Sequence, residues 1–220
     1  MSRSLMMRLG MLSMPLVVAC GESSSTSSTM IDTRQATLHL DTSDQNVLLN
    51  QVSPGVFESS GLGSRYALFV GKSGLAEVQR ELQRQYHQAG NDLSLSAKLA
   101  KHLVELQETM RLPSNPETFA VRCTPRPRAN VFGDLTATAS VYGIFSPHVP
   151  PDDSWVSVSV STRFGGSATC ADKELCAQSA PCGSGTGFAN ASAWMKCIDP
   201  ATGTPVYFTA SDSGSCPVKQ

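Results

Sequence analysis

Six cysteines crowd the second half of this 220-residue chain: Cys123, Cys170, Cys176, Cys182, Cys197 and Cys216. By type and spacing they could either ligate a metal or form disulfides. Structural zinc sites favour cysteines with two to four residues between them. Here Cys170, Cys176 and Cys182 are each separated by five, and no histidine lies near them. Disulfides are therefore the expected chemistry, because an even number of cysteines in an exported chain reads as a set of covalent staples. Three bridges would use all six, sequence alone leaves their pairing open, and no metal is expected.

The other reactive residues form near misses. Gly71-Lys72-Ser73 follows a predicted strand and opens a predicted helix, the setting of a phosphate-binding loop. The motif also needs a glycine five positions earlier, and that position is Tyr66. Ser73 reads instead as a helix cap. Gly183 to Gly187 is a flexible loop with no helix behind it, and no G-x-S-x-G, S-x-x-K or H-E-x-x-H occurs. Asp41 with Asp44, and Asp152 with Asp153, lack the spacing of a calcium loop and read as turn residues. His39, His87, His102 and His148 do not gather in sequence and read as surface or boundary residues. These observations favour a protein without a catalytic site and without a cofactor. The alternative is a secreted hydrolase whose Ser, His and Asp come together from distant positions, since such triads follow no fixed order.

Export is argued from the N-terminus. Arg3 and Arg8 precede the apolar run Leu9 to Ala19, which suits a signal-peptide core and is too short for a bilayer span of roughly 20 residues. The run ends in Val17-Val18-Ala19-Cys20. This stretch resembles the lipobox of bacterial lipoproteins, with Val17 where leucine is most usual. The resemblance covers about twenty residues and implies that cleavage precedes Cys20 and that its thiol carries a diacylglyceryl anchor to the membrane. Gly21, where an aspartate would imply inner-membrane retention, resembles the outer-membrane class. Gly21 to Met30 is almost all Ser and Thr, a tether that buries no apolar surface. The expected organisation is a signal peptide at 1–19, the lipidated cysteine and tether at 20–32, and one α+β domain at 33–220.

Composition narrows the partners. Without residues 1–19 the chain keeps 15 basic against 18 acidic residues, a net charge of −3. No basic field exists to hold nucleic acid. Charged residues are 16% of the chain, against about 25% in ordinary domains, and 46 Ser and Thr take their place.

The elements that must position these residues fall into three stretches. In 33–112, Thr37 to Leu40 and Tyr66 to Val70 read as strands. A helix follows from Ser73, with Leu75, Val78, Leu82, Tyr86 and Ala89 as its stripe and Gly90 as its stop. A second helix starts near Ser94, carries Leu95, Leu99, Leu103, Leu106 and Met110, and ends before Pro113. The short loop between them implies an antiparallel hairpin. Residues 113–131 read as a Pro-rich, locally basic linker with Arg122, Arg126 and Arg128. In 132–220 the alternation is strongest. Thr136 to Phe145, Trp155 to Phe164, Phe188 to Ile198 and Val206 to Ser211 each put small apolar residues on one face and hydroxyls on the other. The expected fold is α+β: the hairpin packed on one face, the Ala/Val face, of a mainly antiparallel sheet of four or more strands, with the staples in the C-terminal half.

On the opposite, hydroxyl face, alternation places Tyr142, Trp155, Trp194 and Tyr207. An open aromatic platform with Asn190 and Lys196 as neighbours would suit a sugar ring or a peptide. The functional expectation is a lipid-anchored outer-membrane protein with a binding or structural role toward an envelope protein or a glycan.

Overall fold

The computed structural model describes residues 29–42, 45–60, 64–112, 117–121, 127–132, 135–141, 154–162, 166–171, 175–182 and 186–216. Cys20, Cys123, Tyr142, His148, the expected signal peptide and most of the expected tether lie outside them.

The chain opens with β1 (Thr29–Asp32), β2 (Thr37–Thr42), β3 (Gln45–Ser53), β4 (Val56–Ser59) and β5 (Arg65–Phe69). Helices α1 (Gly71–Ala89) and α2 (Leu93–Arg111) follow. The rest is β: β6 (Thr118–Val121), β7 (Pro127–Phe132), β8 (Thr136–Val141), β9 (Ser154–Thr162), β10 (Gly166–Ala171), β11 (Leu175–Ser179), β12 (Gly187–Ile198) and β13 (Pro205–Ser215). An eight-stranded antiparallel sheet runs β10-β9-β12-β13-β5-β4-β3-β2. A three-stranded sheet, β11-β8-β7, and the β1-β6 pair complete the architecture.

The long sheet carries a buried core on each face, but the two cores are closed by different elements. Val156, Val158 and Val160 of β9 and Ala189, Ala191 and Ala193 of β12 share a core with Ala129, Ala137 and Ala139 of the short sheet. Small side chains on both layers let two sheets approach closely. Ile31 of β1 and Phe119 of β6 close the same core over Leu38, Leu49 and Phe57. The helices occupy the other face, and their stripe meets Trp155, Trp194 and Tyr207.

This corrects three expectations while the class, a helical hairpin on a large antiparallel sheet, stands. The hairpin covers the aromatic face, not the Ala/Val face. The sheet is not covered on one side only. β8 belongs to the short sheet, so Ala137 and Ala139 face Val156 and Val158 from across the core. The Pro-rich linker also contains strands. Pro127 is tolerated at the start of β7 because β7 is an edge strand, where a missing backbone donor costs no ladder bond.

Local signals explain the helix boundaries. Gly90 ends α1 with φ of 56° and ψ of −114°, a conformation that glycine adopts readily and other residues rarely do. Asp92 caps α2 by accepting from the Leu95 amide. Ser73 is not a cap: α1 begins at Gly71 behind Val70, and no side chain caps it. Gly71 itself has φ of 66°. Where α1 starts, Gly55 of the β3–β4 turn (φ 72°) lies against Gly74, and the Val70 amide donates to the Gly55 carbonyl at 2.8 Å. A methyl at Gly74 would sit 2.3 Å from that same carbonyl oxygen, so the approach requires glycine on both sides.

The β12–β13 hairpin turns through Asp199 to Gly203, as its residues predict. The Gly203 amide donates to the Asp199 carbonyl at 2.8 Å, and the Asp199 carboxylate accepts from the Ala201 amide at 2.9 Å. Near the end of β13, Cys216 is bonded to Cys182, with Cα atoms 5.5 Å apart. Cys176 and Cys197 are disulfide-bonded as well.

Candidate binding face

The helix-side face of the long sheet is organised in rungs, because directly paired residues share a face. On three rungs it carries Ser161-Phe188-Ser215, then Ser159-Asn190-Ser213, then Ser157-Ser192-Ser211-Arg65. The next rung is Trp155-Trp194-Thr209-Ala67, and the last is Lys196-Tyr207-Phe69. The hairpin lies over the last two rungs and leaves the first three open.

The covered end is a sealed aromatic cluster with charges built into it. Trp155 and Trp194 stack at 5.4 Å, and Trp194 stacks on Phe69 at 6.0 Å. Trp155, Trp194 and Tyr207 are all buried. The expected open platform is therefore corrected: three of its four residues lie beneath the helices, and Tyr142 lies outside the described residues. Strand alternation placed the three on one face correctly. It carried no information on which element would cover them.

Burying a tryptophan requires a partner for its N–H. The Trp155 Nε1 donates to Gln85 Oε1 at 3.1 Å, and Gln85 Nε2 donates to Glu81 Oε1 at 2.9 Å. This network explains why α1 buries Gln85 and leaves the expected stripe residue Tyr86 exposed. Burial alone would raise the Glu81 carboxyl, but hydrogen bonds from Arg84 and Gln85 hold it below the usual range.

His102 of α2, expected at the boundary of its stripe, is fully buried. Its ring lies 4.8 Å from Trp155 and edge-on to Tyr207 at 6.4 Å. Its Nδ1 is 3.7 Å from Glu105, which also holds the buried Lys196 ammonium at 2.7 Å. Burial would push the Glu105 carboxyl up. The hydrogen bond and charge of Lys196, with His102 and Lys101, outweigh it and hold the carboxyl below its ordinary value. A histidine, a carboxylate and a lysine thus meet here between α2 and the sheet, with His102 and Lys196 buried and Glu105 38% exposed. Their chemistry is that of a clamp between α2 and β12. Of the other histidines, His39 and His87 are exposed and stand apart from this cluster.

The open end has the opposite character. Seven of the ten side chains that β9, β12, β13 and β5 place there are serines. Ser161, Ser213, Ser215 and Asn190 are exposed, and Ser157, Ser159, Ser192 and Ser211 are half-buried. Phe188 stands 64% exposed between Ser161 and Ser215. Strands set these residues about 4.8 Å apart across the sheet and roughly 6.7 Å apart along it. Sequence reading did not single out Phe188. Its signal was the same alternation that marked Trp194, six residues further along the same face of β12.

Among the described residues no group of three or more His, Cys, Asp or Glu is placed to hold a metal ion, and no helix is long and apolar enough to cross a membrane. Comparison with protein-family models, curated proteins and solved structures finds no match to this chain.

Proposed function

We propose that this protein is a lipid-anchored envelope protein of the bacterial outer membrane, with a non-catalytic binding role carried by the three open rungs of its long sheet. The observation that carries the reading is the division of one sheet face. Trp155, Trp194, Tyr207 and Lys196 are sequestered under the hairpin, and an exposed to half-buried array of serines with Asn190, Phe188 and Arg65 is left beside it. Rigid strands suit a binding surface because little order is lost when a ligand docks. The lipobox residues Val17 to Cys20 and the Ser/Thr tether behind them support the anchor and a domain held off the bilayer.

Two measurements test the two parts. Cys20→Ser should abolish incorporation of labelled palmitate and shift the protein out of the membrane fraction or leave it as a precursor. Unchanged mass and unchanged detergent-dependent partition would refute the anchor. For the binding face, a photo-crosslinking amino acid at Asn190 should give an adduct in intact envelopes, while the same group at Ala97, on the exposed side of α2, should not. Equal adducts at both positions, or none at Asn190, would remove the face from consideration.

A further inference from the structure

We infer that the open rungs bind an uncharged polysaccharide, with Phe188 as the residue on which a sugar ring stacks. This rests on the reading of the face as a binding surface and adds the class of ligand.

Charge comes first. Of the ten side chains that β9, β12, β13 and β5 place on these rungs, Arg65 alone is ionisable. Nucleic acid requires several cations to neutralise phosphates, and an anionic lipid surface requires a basic cluster. An acidic glycan would need the same. The face complements a ligand without net charge.

Residue type comes second. The cores of protein–protein interfaces are enriched in aromatic residues, methionine and arginine, and are depleted in serine. A face made of seven serines around one phenylalanine departs from that composition. It matches a neutral sugar well. Each serine hydroxyl both donates and accepts, as sugar hydroxyls do, and Asn190 adds two donors and an acceptor at the centre of the array. The apolar C–H face of a pyranose ring fits the flat, exposed ring of Phe188.

Geometry comes third. β12 is paired over nearly its whole length by β9 on one side and β13 on the other. The rungs therefore form a periodic surface, suited to an extended polymer whose hydroxyls also recur at a fixed spacing. Phe188 lies on the outermost of the three rungs, furthest from the hairpin among the described residues.

The test uses the full-length processed protein in detergent micelles and affinity electrophoresis through gels containing dextran, a soluble β-glucan, chitin oligomers or polygalacturonate. At least one of the neutral probes should retard the protein, and polygalacturonate should not exceed it. Phe188→Ala should weaken retardation at least about tenfold with an unchanged melting temperature, and Phe188→Trp should restore it. Asn190→Leu, which keeps size and removes the hydrogen-bonding groups, provides a second variant and should weaken retardation too. Retardation by polygalacturonate alone, no retardation by any neutral probe, or retardation of Phe188→Ala and Asn190→Leu equal to that of the wild type would overturn the inference. If the crosslink from Asn190 captures a protein and no carbohydrate, the glycan assignment fails while the binding face itself stands.

Discussion

Trp155 of β9 and Trp194 of β12 occupy the same rung of the long sheet and stack with their ring centres 5.4 Å apart and their planes within 9°. The pair is the floor on which the helical hairpin rests. His102 and Gln85 reach it from the two helices.

Trp155→Ala and Trp194→Ala should each cost about 3–5 kcal/mol, the range for truncating a buried aromatic. Trp155→Ala also deprives Gln85 of its indole donor, so it should be the worse of the two. Urea denaturation of both variants checks this. A loss below about 0.5 kcal/mol would mean that the residues are not core.

The Glu105–Lys196 pair should make stability sensitive to acid. The Glu105 carboxyl is held below its ordinary value in the folded protein, so its contribution is complete above the unfolded value of about 4.3 and disappears as pH falls through the lower folded value. Glu105 is 38% exposed, so Glu105→Gln should cost only about 1–2 kcal/mol at neutral pH, less than breaking a fully buried pair. The difference in stability between wild type and Glu105→Gln should shrink at acid pH. A constant difference from pH 7 to pH 3 would refute the clamp.

Three glycines should separate sharply. Gly74→Ala places a methyl 2.3 Å from the Gly55 carbonyl oxygen and should cost several kcal/mol, on the order of a large core defect. Gly90→Ala meets nothing nearer than 3.8 Å and carries only the backbone strain of φ 56° with ψ −114°, about 1–3 kcal/mol. Gly203→Ala, with no neighbour within 4 Å, should resemble Gly90→Ala. Thermal melts of the three variants would reveal the order, and equal shifts would contradict it.

The Cys182–Cys216 bridge spans 34 residues and by loop-closure entropy should contribute about 4 kcal/mol. Cys182→Ser and Cys216→Ser should lose similar amounts, and the double variant should lose little more than either. Additive losses would show that the cysteines act separately.

Much of this fold was legible because alternation is a strong signal. β9, β12 and β13 were readable from runs such as Ala189-Asn190-Ala191-Ser192-Ala193, and the two helices from their leucine spacing and from Gly90. β3 and β4 escaped because Gln, Asn, Ser and Glu interrupt their apolar residues, and β7 because Pro127 and Arg128 resemble a linker. Alternation gives the two faces of a strand but not what each meets. The small Ala/Val face looked suited to helices, yet it packs a second sheet, and the bulky Trp/Tyr face receives the hairpin. Helical spacing likewise allowed Gln85 or Tyr86 as the inward residue, and only the distant Trp155 N–H decides for Gln85. The proposed binding face was half legible. Asn190 and the serines were placed correctly, but the exposed aromatic is Phe188, at the end of the face that the helices do not reach.

The pairing of β5 with β13 has a consequence for the order of events in the cell. β5 to β2 form one end of the long sheet, and their neighbour is the last strand of the chain. Both helices rest on Trp155, Trp194 and Tyr207, which leave the ribosome long after them. An N-terminal portion that emerges first therefore has no completed partner, and the leucine stripes of α1 and α2 remain wet until β9, β12 and β13 follow. Contacts of such long sequence separation close slowly. The core can close only after the late strands have been made. Through that interval the chain exposes apolar surface of the kind that chaperones shield and proteases recognise.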